Sequence, residues 1–328
     1  MNTPNDVNNS TTVEINGDKS LIKKLDNQWF QDIAILQNDI FFLTHKFYQK
    51  LGFKTLNLSL IVEAPSCPTD STGSDSKPMT VYFQKNSKYL SDSSQFFLEY
   101  STRLFGKNCY SLLPSFRDEK KDKRHLSEFY HSEAEIIGDM ENAISIAEQY
   151  INYLSKHLLK RNEEIIMKYA GTRKHIKQLD KPIKKLTFDE AFEIVGKEHY
   201  EYLEEGNRRL TPSGELFLLN KFNGVVWITE PDSLSVPFFQ AFLKSRPKKS
   251  KAADLLMGIG ETIGLGERHF SDDDVINALD LHQININEYQ WYIDLKKTKP
   301  LKTAGFGMGV ERYLCWLLRH DDIRDFIY

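Results

Sequence analysis

The sequence predicts an α+β fold in which an antiparallel β-sheet is flanked by helices. Two strand-like stretches, 109–116 and 128–137, are joined by the very polar turn DEKKDKRH, as in a β-hairpin. Segments with helical periodicity stand apart from this hairpin, before it and after it. Hairpin-like strands and separate helices, in that order along the chain, are typical of an α+β domain.

Composition sets the first limits on function. The 328 residues include 43 Lys and Arg and 46 Asp and Glu, a formal net charge of −3, which gives no overall attraction to nucleic acid. A local basic run, KSRPKKSK at 244–251, is the exception. A chain of this length is expected to form one large domain or a core with insertions.

The cysteines and the polar N-terminus indicate a location. Cys67, Cys109 and Cys315 are scattered and form no CxxC pair, which suits a reducing compartment and gives no zinc or redox signature. The chain has no run of 18 apolar residues, and its N-terminus is not signal-like. We therefore expect a cytoplasmic protein without a membrane partner, and a disordered tail over 1–20.

An amphipathic helix is predicted over 21–51, and Gly52 ends it. Its apolar residues recur at steps of three and four, the spacing of one helix face: Ile33, Leu36, Ile40, Leu43, Phe47 and Leu51. The predicted elements that follow are a strand at 53–63, a loop rich in Ser, Thr, Asp and Gly at 66–78, a helix at 95–105, the hairpin, a long helix at 139–167, strands at 225–229 and 289–295, and a helix at 310–318.

The domain organisation is predicted to be simple. We expect one domain over 21–328, without internal repeats. The strongly charged segment 168–209 reads as an insertion, with a short helix opened by a capping box at Thr187 and Glu190.

A first candidate site is the hairpin turn, FRDEKKDKRHLSEF. Arg117 ends one strand and Phe129 lies near the start of the next, so both can face the same ligand. An arginine offers a forked, permanently charged donor to phosphate oxygens, and an aromatic face offers stacking to a base. Charged hairpin tips are common, so this pattern alone favours an ordinary solvated turn.

A second candidate is the segment AADLLMGIGETIGLGERH. Asp254 and Glu261 are seven residues apart, and one or two carboxylates often hold a magnesium ion already bound to nucleotide phosphates. Arg268 follows seven residues later, across Gly264 and Gly266, which allow the backbone to approach a ligand. A lone carboxylate spacing of this kind is weak, because turns and surface charge explain it equally well.

A third candidate is GFGMGVER, in which glycines enter a helix and Arg312 lies in its first turn. The missing third glycine and the position near the C-terminus exclude a dinucleotide-binding fingerprint. On its own, the segment is a generic helix entry.

Together, the order and spacing of the three segments resemble the three signature motifs of class II aminoacyl-tRNA synthetases, most of all the asparaginyl/aspartyl branch. The helix at 33–51 and the strand ending at Pro65 resemble the first, dimer-forming motif. This resemblance implies that the apolar stripe of the helix builds a two-fold interface through Ile33, Leu36, Ile40, Leu43 and Phe47. FRDE…RHLSEF resembles the second motif, and GFGMGVER resembles the third. The resemblance runs from about residue 28 to the end and is weakest over 168–209.

The resemblance implies how ATP would be bound. Arg117 would contact the α-phosphate and the attacking carboxylate, with Glu119 beside it. His125 would lie near the outer phosphates and Phe129 would stack on the adenine. Arg312 would cover the other face of the adenine or the γ-phosphate, which makes Arg117 and Arg312 the candidate catalytic residues.

The same resemblance assigns the remaining ligands. Gln95, Glu133 and Arg268 would hold the amino acid, and Asp254 and Glu261 would bind Mg²⁺, so that ATP and Mg²⁺ are the implied cofactors. The implied reaction needs no general base, because a carboxylate attacks the α-phosphorus while arginines and Mg²⁺ neutralise the developing charge.

The sequence also departs from the family pattern. Only about 27 residues precede the first motif, so we expect no anticodon-binding β-barrel. Leu98 stands where aspartyl enzymes have a lysine for the substrate's second carboxylate, and Glu99 follows as in asparaginyl enzymes. The loop 66–75 lacks the usual Glu-Gly pair and faintly resembles that of archaeal-type asparagine synthetases. Gly266 replaces the usual serine.

Three hypotheses follow. The favoured one is a tRNA-independent ligase that adenylates aspartate and passes it to ammonia or a small amine, as asparagine synthetase does. The alternative is an asparaginyl-tRNA synthetase-like protein that charges a nucleic acid or another carrier. The basic run at 244–251 supports this alternative. A non-catalytic regulator that binds an amino acid or a nucleotide is disfavoured, because the motif arginines and the carboxylate pair are all present. We expect a homodimer and no tRNA partner.

Overall fold

The structure is a computed structural model that describes residues 19–68, 77–83, 86–203 and 206–327. Its helices are α1 (Lys19–Leu25), α2 (Gln28–Lys50), α3 (Gln95–Phe105), α4 (Met140–Ala170), α5 (Lys174–Gln178), α6 (Phe188–Val195), α7 (Pro212–Lys221), α8 (Asp272–Leu281), α9 (Gln290–Thr298) and α10 (Val310–Leu318). Its strands are β1 (Ile61–Val62), β2 (Thr80–Phe83), β3 (Asn86–Leu90), β4 (Cys109–Phe116), β5 (Glu128–Ile137), β6 (Lys184–Thr187), β7 (Tyr200–Tyr202), β8 (Arg208–Leu210), β9 (Val225–Thr229), β10 (Phe242–Leu243), β11 (Arg246–Ser250), β12 (Ala252–Met257), β13 (Gly260–Glu267) and β14 (Thr303–Gly309).

The centre of the molecule is a seven-stranded sheet in the order β4-β5-β14-β13-β12-β9-β6. Its neighbouring strands are antiparallel except for β6 and β9, which are parallel. The predicted α+β fold is therefore confirmed, and β4 and β5 have the predicted bounds. The pairing places β5, β14 and β13 side by side, so residues from all three candidate segments meet in the middle of the sheet.

The apolar stripe of α2 faces the core of its own chain. Helix α2 packs against α4, which also lies against β13 and β14. The residues predicted to build a dimer surface are all buried there: Ile33, Leu36, Ile40, Leu43 and Phe47. The stripe was therefore wrongly assigned to a subunit interface, because its periodicity reports burial within one chain.

Two strand predictions need correction. The segment 289–295 is not a strand but runs from a 3₁₀ turn into α9. Tyr289, Tyr292, Ile293 and Lys296 are all buried, and their spacing of three and four is that of one helix face. Of the strand predicted at 53–63, only the two residues of β1 are extended in a sheet, with an isolated bridge between Lys54 and Cys109.

The segment 168–209, which the sequence predicts as an insertion, contributes to the central sheet. Its strand β6 pairs with β9 at the sheet edge. The capping box that opens α6 is present, with the Glu190 backbone N–H donating to the Thr187 hydroxyl and the Thr187 backbone N–H donating to the Glu190 carboxylate.

The predicted tail over 1–20 lies outside the described residues except for Lys19 and Ser20, which begin α1. The loop at 66–78 is likewise described only in part, since 69–76 lie outside the described ranges. Among the helices of the described residues, none is long and apolar enough to cross a membrane.

Candidate active site

One face of β5 carries a row of aromatic and polar side chains. Alternate residues of a strand share a face, which places Phe129, His131, Glu133 and Glu135 on the same side. The Phe129 and His131 rings are 5.1 Å apart, edge to face. The row runs along β5 from the end that follows the β4–β5 loop to the part that pairs with β14.

Glycines on the neighbouring strands make room for this row. A Cβ atom at Gly305 would overlap the carboxylate of Glu135 and the guanidinium of Arg268, and one at Gly307 would lie 3.0 Å from His131 Nε2. Four glycines pair across β13 and β14 in this way: Gly264 with Gly307, and Gly266 with Gly305. Because these glycines have no side chain, the surface of β13 and β14 is flat enough for polar groups and a ligand to lie on it.

At one end of the row, Arg117 covers Phe129. The guanidinium carbon of Arg117 lies 5.2 Å from the ring centre, and its backbone N–H donates to the Ser127 carbonyl at 2.9 Å. Burial alone would lower the pKa of Arg117, but acidic neighbours, Cys67 and Glu119 foremost, raise it. Within the described residues its Nε is buried and has no hydrogen-bond partner, so this donor is available to a ligand.

The loop between β4 and β5 is held by an aspartate. Asp122 Oδ1 accepts the backbone N–H groups of Arg124 and His125, at 2.7 and 2.9 Å. The His125 ring also contacts this oxygen through Nδ1, at 2.9 Å. The imidazole is half-exposed.

Asp254 on β12 and Glu261 on β13 converge. The position of a Cβ atom at Gly264 lies 2.9 Å from Glu261 Oε1 and 3.9 Å from Asp254 Oδ1. Burial, followed by the charges of Glu261 and Glu215, raises the pKa of Asp254 well above its usual range. Two carboxylates that repel each other in this way fit a divalent cation, which would remove the repulsion.

Arg312 links the third segment to both of the others. Its Nη1 donates to the Glu261 carbonyl at 2.6 Å, while Nε and Nη2 donate to the Arg124 carbonyl at 3.3 and 3.2 Å. Burial lowers the pKa of Arg312. The preceding residue, Glu311, is buried and accepts the backbone N–H of Tyr130 at 3.1 Å, which fixes α10 against β5.

At the other end of the row, Glu133 is bound to the start of α3. Its carboxylate accepts hydrogen bonds from the Ser93 hydroxyl and, at 2.8 Å, from the Ser94 backbone N–H. Anionic groups are stabilised at a helix N-terminus in this way. Gln95, the first residue of α3, donates from Nε2 to Glu99 at 3.2 Å.

Arg268 lies beside Glu135 in the buried part of the site. Its Nη2 and Nε donate to the Glu135 carboxylate at 3.0 and 3.3 Å, and Nη1 donates to Gln240 Oε1 at 3.1 Å. Burial, foremost, raises the pKa of Glu135 although Arg268 lowers it. The ion pair with Glu135 balances the positive charge of Arg268 before any substrate arrives.

A family model described as tRNA synthetases class II (D, K and N) matches residues 14–328. The chain belongs to this family. An asparagine–tRNA ligase of Koribacter versatilis is 28% identical over 306 residues, which are 90% of this chain and 67% of the relative. An asparagine–tRNA ligase of Pyrococcus abyssi is 32% identical over 248 residues, 74% of this chain and 56% of the relative. The chain thus spans between about half and two thirds of these two relatives.

Solved structures of class II synthetases have the same fold. Asparaginyl-tRNA synthetase from Pyrococcus horikoshii, complexed with asparaginyl-adenylate, matches with a TM-score of 0.83 and 25% identity over 91% of this chain and 68% of that one. A putative aspartyl-tRNA synthetase from Leishmania major matches with a TM-score of 0.75 and 16% identity, over 90% and 64%. The predicted resemblance to the asparaginyl/aspartyl branch of class II synthetases is confirmed.

In this class II synthetase core, the predicted site residues fall into two groups. Arg117 and Arg312 lie within reach of the charge of Glu261, and Phe129 lies beneath Arg117. Gln95, Glu133 and Arg268 lie towards the other end of β5. Glu119 and His125 are on the connecting loop. Their individual roles stay predictions.

Sequence reasoning missed several polar residues of the site. His131 and Glu135 alternate with Phe129 and Glu133, so the period of two along β5 could have revealed them. Glu215 offered no such signal, because it meets Arg124 across 91 positions of sequence. Gln240 is 28 positions from its partner Arg268, and no sequence pattern indicated this contact either.

Proposed function

We propose that this chain is an asparaginyl-tRNA synthetase-like ligase, which activates asparagine with ATP and transfers it to tRNA. The observation that carries the proposal is the continuous face of β5. At one end Arg117 covers the ring of Phe129, and at the other end Arg268 forms an ion pair with Glu135. The likeness to asparagine–tRNA ligases supports the same substrate.

In the proposed reaction, Phe129 stacks on the adenine while Arg117 binds the α-phosphate. An arginine is suited to this contact because its fork of donors stays charged and can bind two oxygens. Arg312, fixed by backbone carbonyls at three of its nitrogens, is rigid enough to place charge against the nucleotide. The substrate carboxylate then attacks the α-phosphorus, and pyrophosphate leaves.

The carboxylate pair supports a magnesium site. Asp254 and Glu261 provide two hard oxygen ligands, which is the number that proteins often supply when nucleotide phosphates and water complete the coordination. Mg²⁺ bound there would neutralise charge that develops on the phosphates. In the described parts of the chain, no cluster of three or more His, Cys, Asp or Glu is arranged to hold a metal ion.

The surroundings of Arg268 favour asparagine over aspartate. Because Glu135 already balances the charge of Arg268, the pocket has little excess positive charge for a second carboxylate. The guanidinium can still donate to a neutral amide oxygen. Leu98, which is buried, supplies no further cation.

The relatives support tRNA as the acceptor. The amidation of aspartate and the absence of a tRNA partner, both expected from the sequence, receive no support from them, since they are tRNA ligases. The predicted cytoplasmic location and the homodimer stay predictions.

Two assays test the proposal. Pyrophosphate exchange into ATP should depend on asparagine and much less on aspartate. Labelled asparagine should then appear on total tRNA, and labelled aspartate with ammonium should give no asparagine. Ammonia-dependent asparagine formation without labelled tRNA would replace this function with amidation. Nucleotide binding without exchange for any amino acid would favour a regulator.

A further inference from the structure

Glu215 lies outside the three motifs, in the first turn of α7. The helix is capped by Thr211, whose hydroxyl accepts the Gly214 backbone N–H at 3.2 Å. Leu218 and Leu219 hold the helix in a core that includes Leu256 of β12. The position of Glu215 relative to the sheet is therefore set by capping and by packing.

The carboxylate of Glu215 forms an ion pair with the Nη2 of Arg124. Both side chains are mostly buried, with 13% of Glu215 and 18% of Arg124 exposed. Gly260 provides the space, because a Cβ atom there would overlap both charged groups. A pair removed from water in this way holds its geometry more tightly than a surface pair.

The pair belongs to a chain of contacts that ends at the proposed metal ligands. Arg124 accepts hydrogen bonds on its carbonyl from Arg312, and Arg312 donates to the carbonyl of Glu261. The charge of Glu215 also acts on Asp254. Glu215 is thus connected to Arg124, to Arg312 and to the carboxylate pair without belonging to a motif.

Arg124 retains donors that nothing in the described chain satisfies. Its Nε and Nη1 are buried and have no hydrogen-bond partner among the described residues. Buried donors are nearly always paired in a native protein, so unpaired donors beside a proposed nucleotide site point to a ligand with acceptor oxygens.

We propose that Glu215 is a positioning residue for ATP, which holds the guanidinium of Arg124 so that its free donors meet the phosphate oxygens. This inference rests on the adenylation proposed above. Glu215 itself touches neither the nucleotide nor the reacting atoms and acts through Arg124. Its loss therefore affects the binding of ATP and leaves the binding of the amino acid unchanged.

The test compares E215Q and E215D with the wild-type chain in pyrophosphate exchange. E215Q keeps the shape and removes the charge, and should raise the KM for ATP about tenfold, as expected for loss of one charge-assisted contact. The KM for asparagine should not change, because Arg268 and Glu133 are at the other end of β5. E215D keeps the charge and should recover part of the loss.

D232N is the matched control, because Asp232 is also buried and pairs with Arg208 at 2.9 Å and Lys249 at 2.7 Å, away from the ATP site. It should lower the melting temperature without a change in the KM for ATP. If E215Q behaves like D232N, or raises both KM values together, Glu215 is structural and the proposal fails. An unchanged KM for ATP in E215Q also overturns it.

A second measurement separates this proposal from the proposed function. The rise in melting temperature on addition of ATP with Mg²⁺ reports nucleotide binding without catalysis. It should be smaller for E215Q than for the wild type. If the wild type exchanges with no amino acid but shows this rise, the function fails and the effect of E215Q still decides the role of Glu215. A wild type without either response overturns both.

Discussion

Arg312 donates a 2.6 Å hydrogen bond from Nη1 to the backbone carbonyl of Glu261, so the arginine that opens α10 is fixed to the strand of the proposed metal site. Its Nε and Nη2 bind the carbonyl of Arg124 on the motif loop. A single guanidinium thus joins two segments that are distant in sequence, and this depends on its planar fork of donors.

R312K is expected to lower the rate of pyrophosphate exchange by about 10²–10³-fold, because a lysine keeps the charge and loses the fork. Exchange measured at saturating ATP and asparagine checks this, with thermal melting to show that the variant folds. K297R, on the exposed side of α9, is the control for a harmless exchange of the two cations. A loss of less than tenfold would mean that charge alone suffices at this position.

Magnesium dependence should change with pH in a defined direction. The pKa of Asp254 is raised by burial and by Glu261, so protons compete with Mg²⁺ for this carboxylate. The Mg²⁺ concentration for half-maximal exchange should therefore increase as pH falls. D254N should require more Mg²⁺ throughout and lose most of the pH dependence.

E261Q should also require more Mg²⁺, because it removes the other hard ligand. Titrations of Mg²⁺ at several pH values measure both effects. Curves for D254N and E261Q that coincide with the wild type would show that the pair is structural.

The sequence predicted those parts of the fold in which local pattern and burial agree. The hairpin of β4 and β5 and the helix α3 have the predicted bounds, because their turn residues and apolar spacing allow one interpretation. The strand prediction at 289–295 was wrong because a short apolar stretch is compatible with both a strand and a helix. The burial of Tyr289 and Tyr292 within a helix-side cluster decided it, and burial is a property of the tertiary structure.

The site was predictable where motif residues carry it. Arg117 directly follows β4, and Phe129 lies on β5, which pairs with β4, so their contact followed from the hairpin. The pairing of Arg268 with Glu135 joins residues 133 positions apart and depends on the order of strands in the sheet. The order of strands in the sheet cannot be read from one sequence. The ion pair that balances the charge of Arg268 was therefore found only in the structure.

A homodimer remains expected, with a different face of α2 at the interface. Ile35 and Phe42 are seven residues apart on one exposed face of α2, and are 46% and 51% exposed. Apolar side chains aligned in this way are typical of a surface that pairs with a second copy. F42E should shift the mass measured by light scattering from a dimer towards a monomer, because it places a charge in that surface.

L281E is the control for F42E, since Leu281 is a similarly exposed apolar residue on α8. It should leave the mass of the particle unchanged. A wild-type chain that is monomeric at micromolar concentration would contradict the dimer, and a dimer insensitive to F42E would place the interface elsewhere.

Glu311 should make the protein less stable as pH rises from the acid range towards neutrality. Burial raises its pKa from the usual 4.5 to about 7, with 3% of the side chain exposed. A carboxyl with a raised pKa in the folded state binds its proton more tightly there than in the unfolded chain. Its contribution to stability is therefore full below about pH 4.5 and is lost as pH rises towards 7, by roughly 3 kcal/mol for a shift of this size.

E311Q removes this titration while it keeps an oxygen that can accept the Tyr130 N–H. Between about pH 5 and 8, the free energy of unfolding measured with urea should therefore fall more for the wild type than for E311Q. E163Q, which changes an exposed carboxylate, should follow the wild type. If E311Q and the wild type lost equal stability over that range, Glu311 would be ionised throughout. The helix dipole at the start of α10 and the Tyr130 N–H would then be strong enough to offset the burial of the carboxylate.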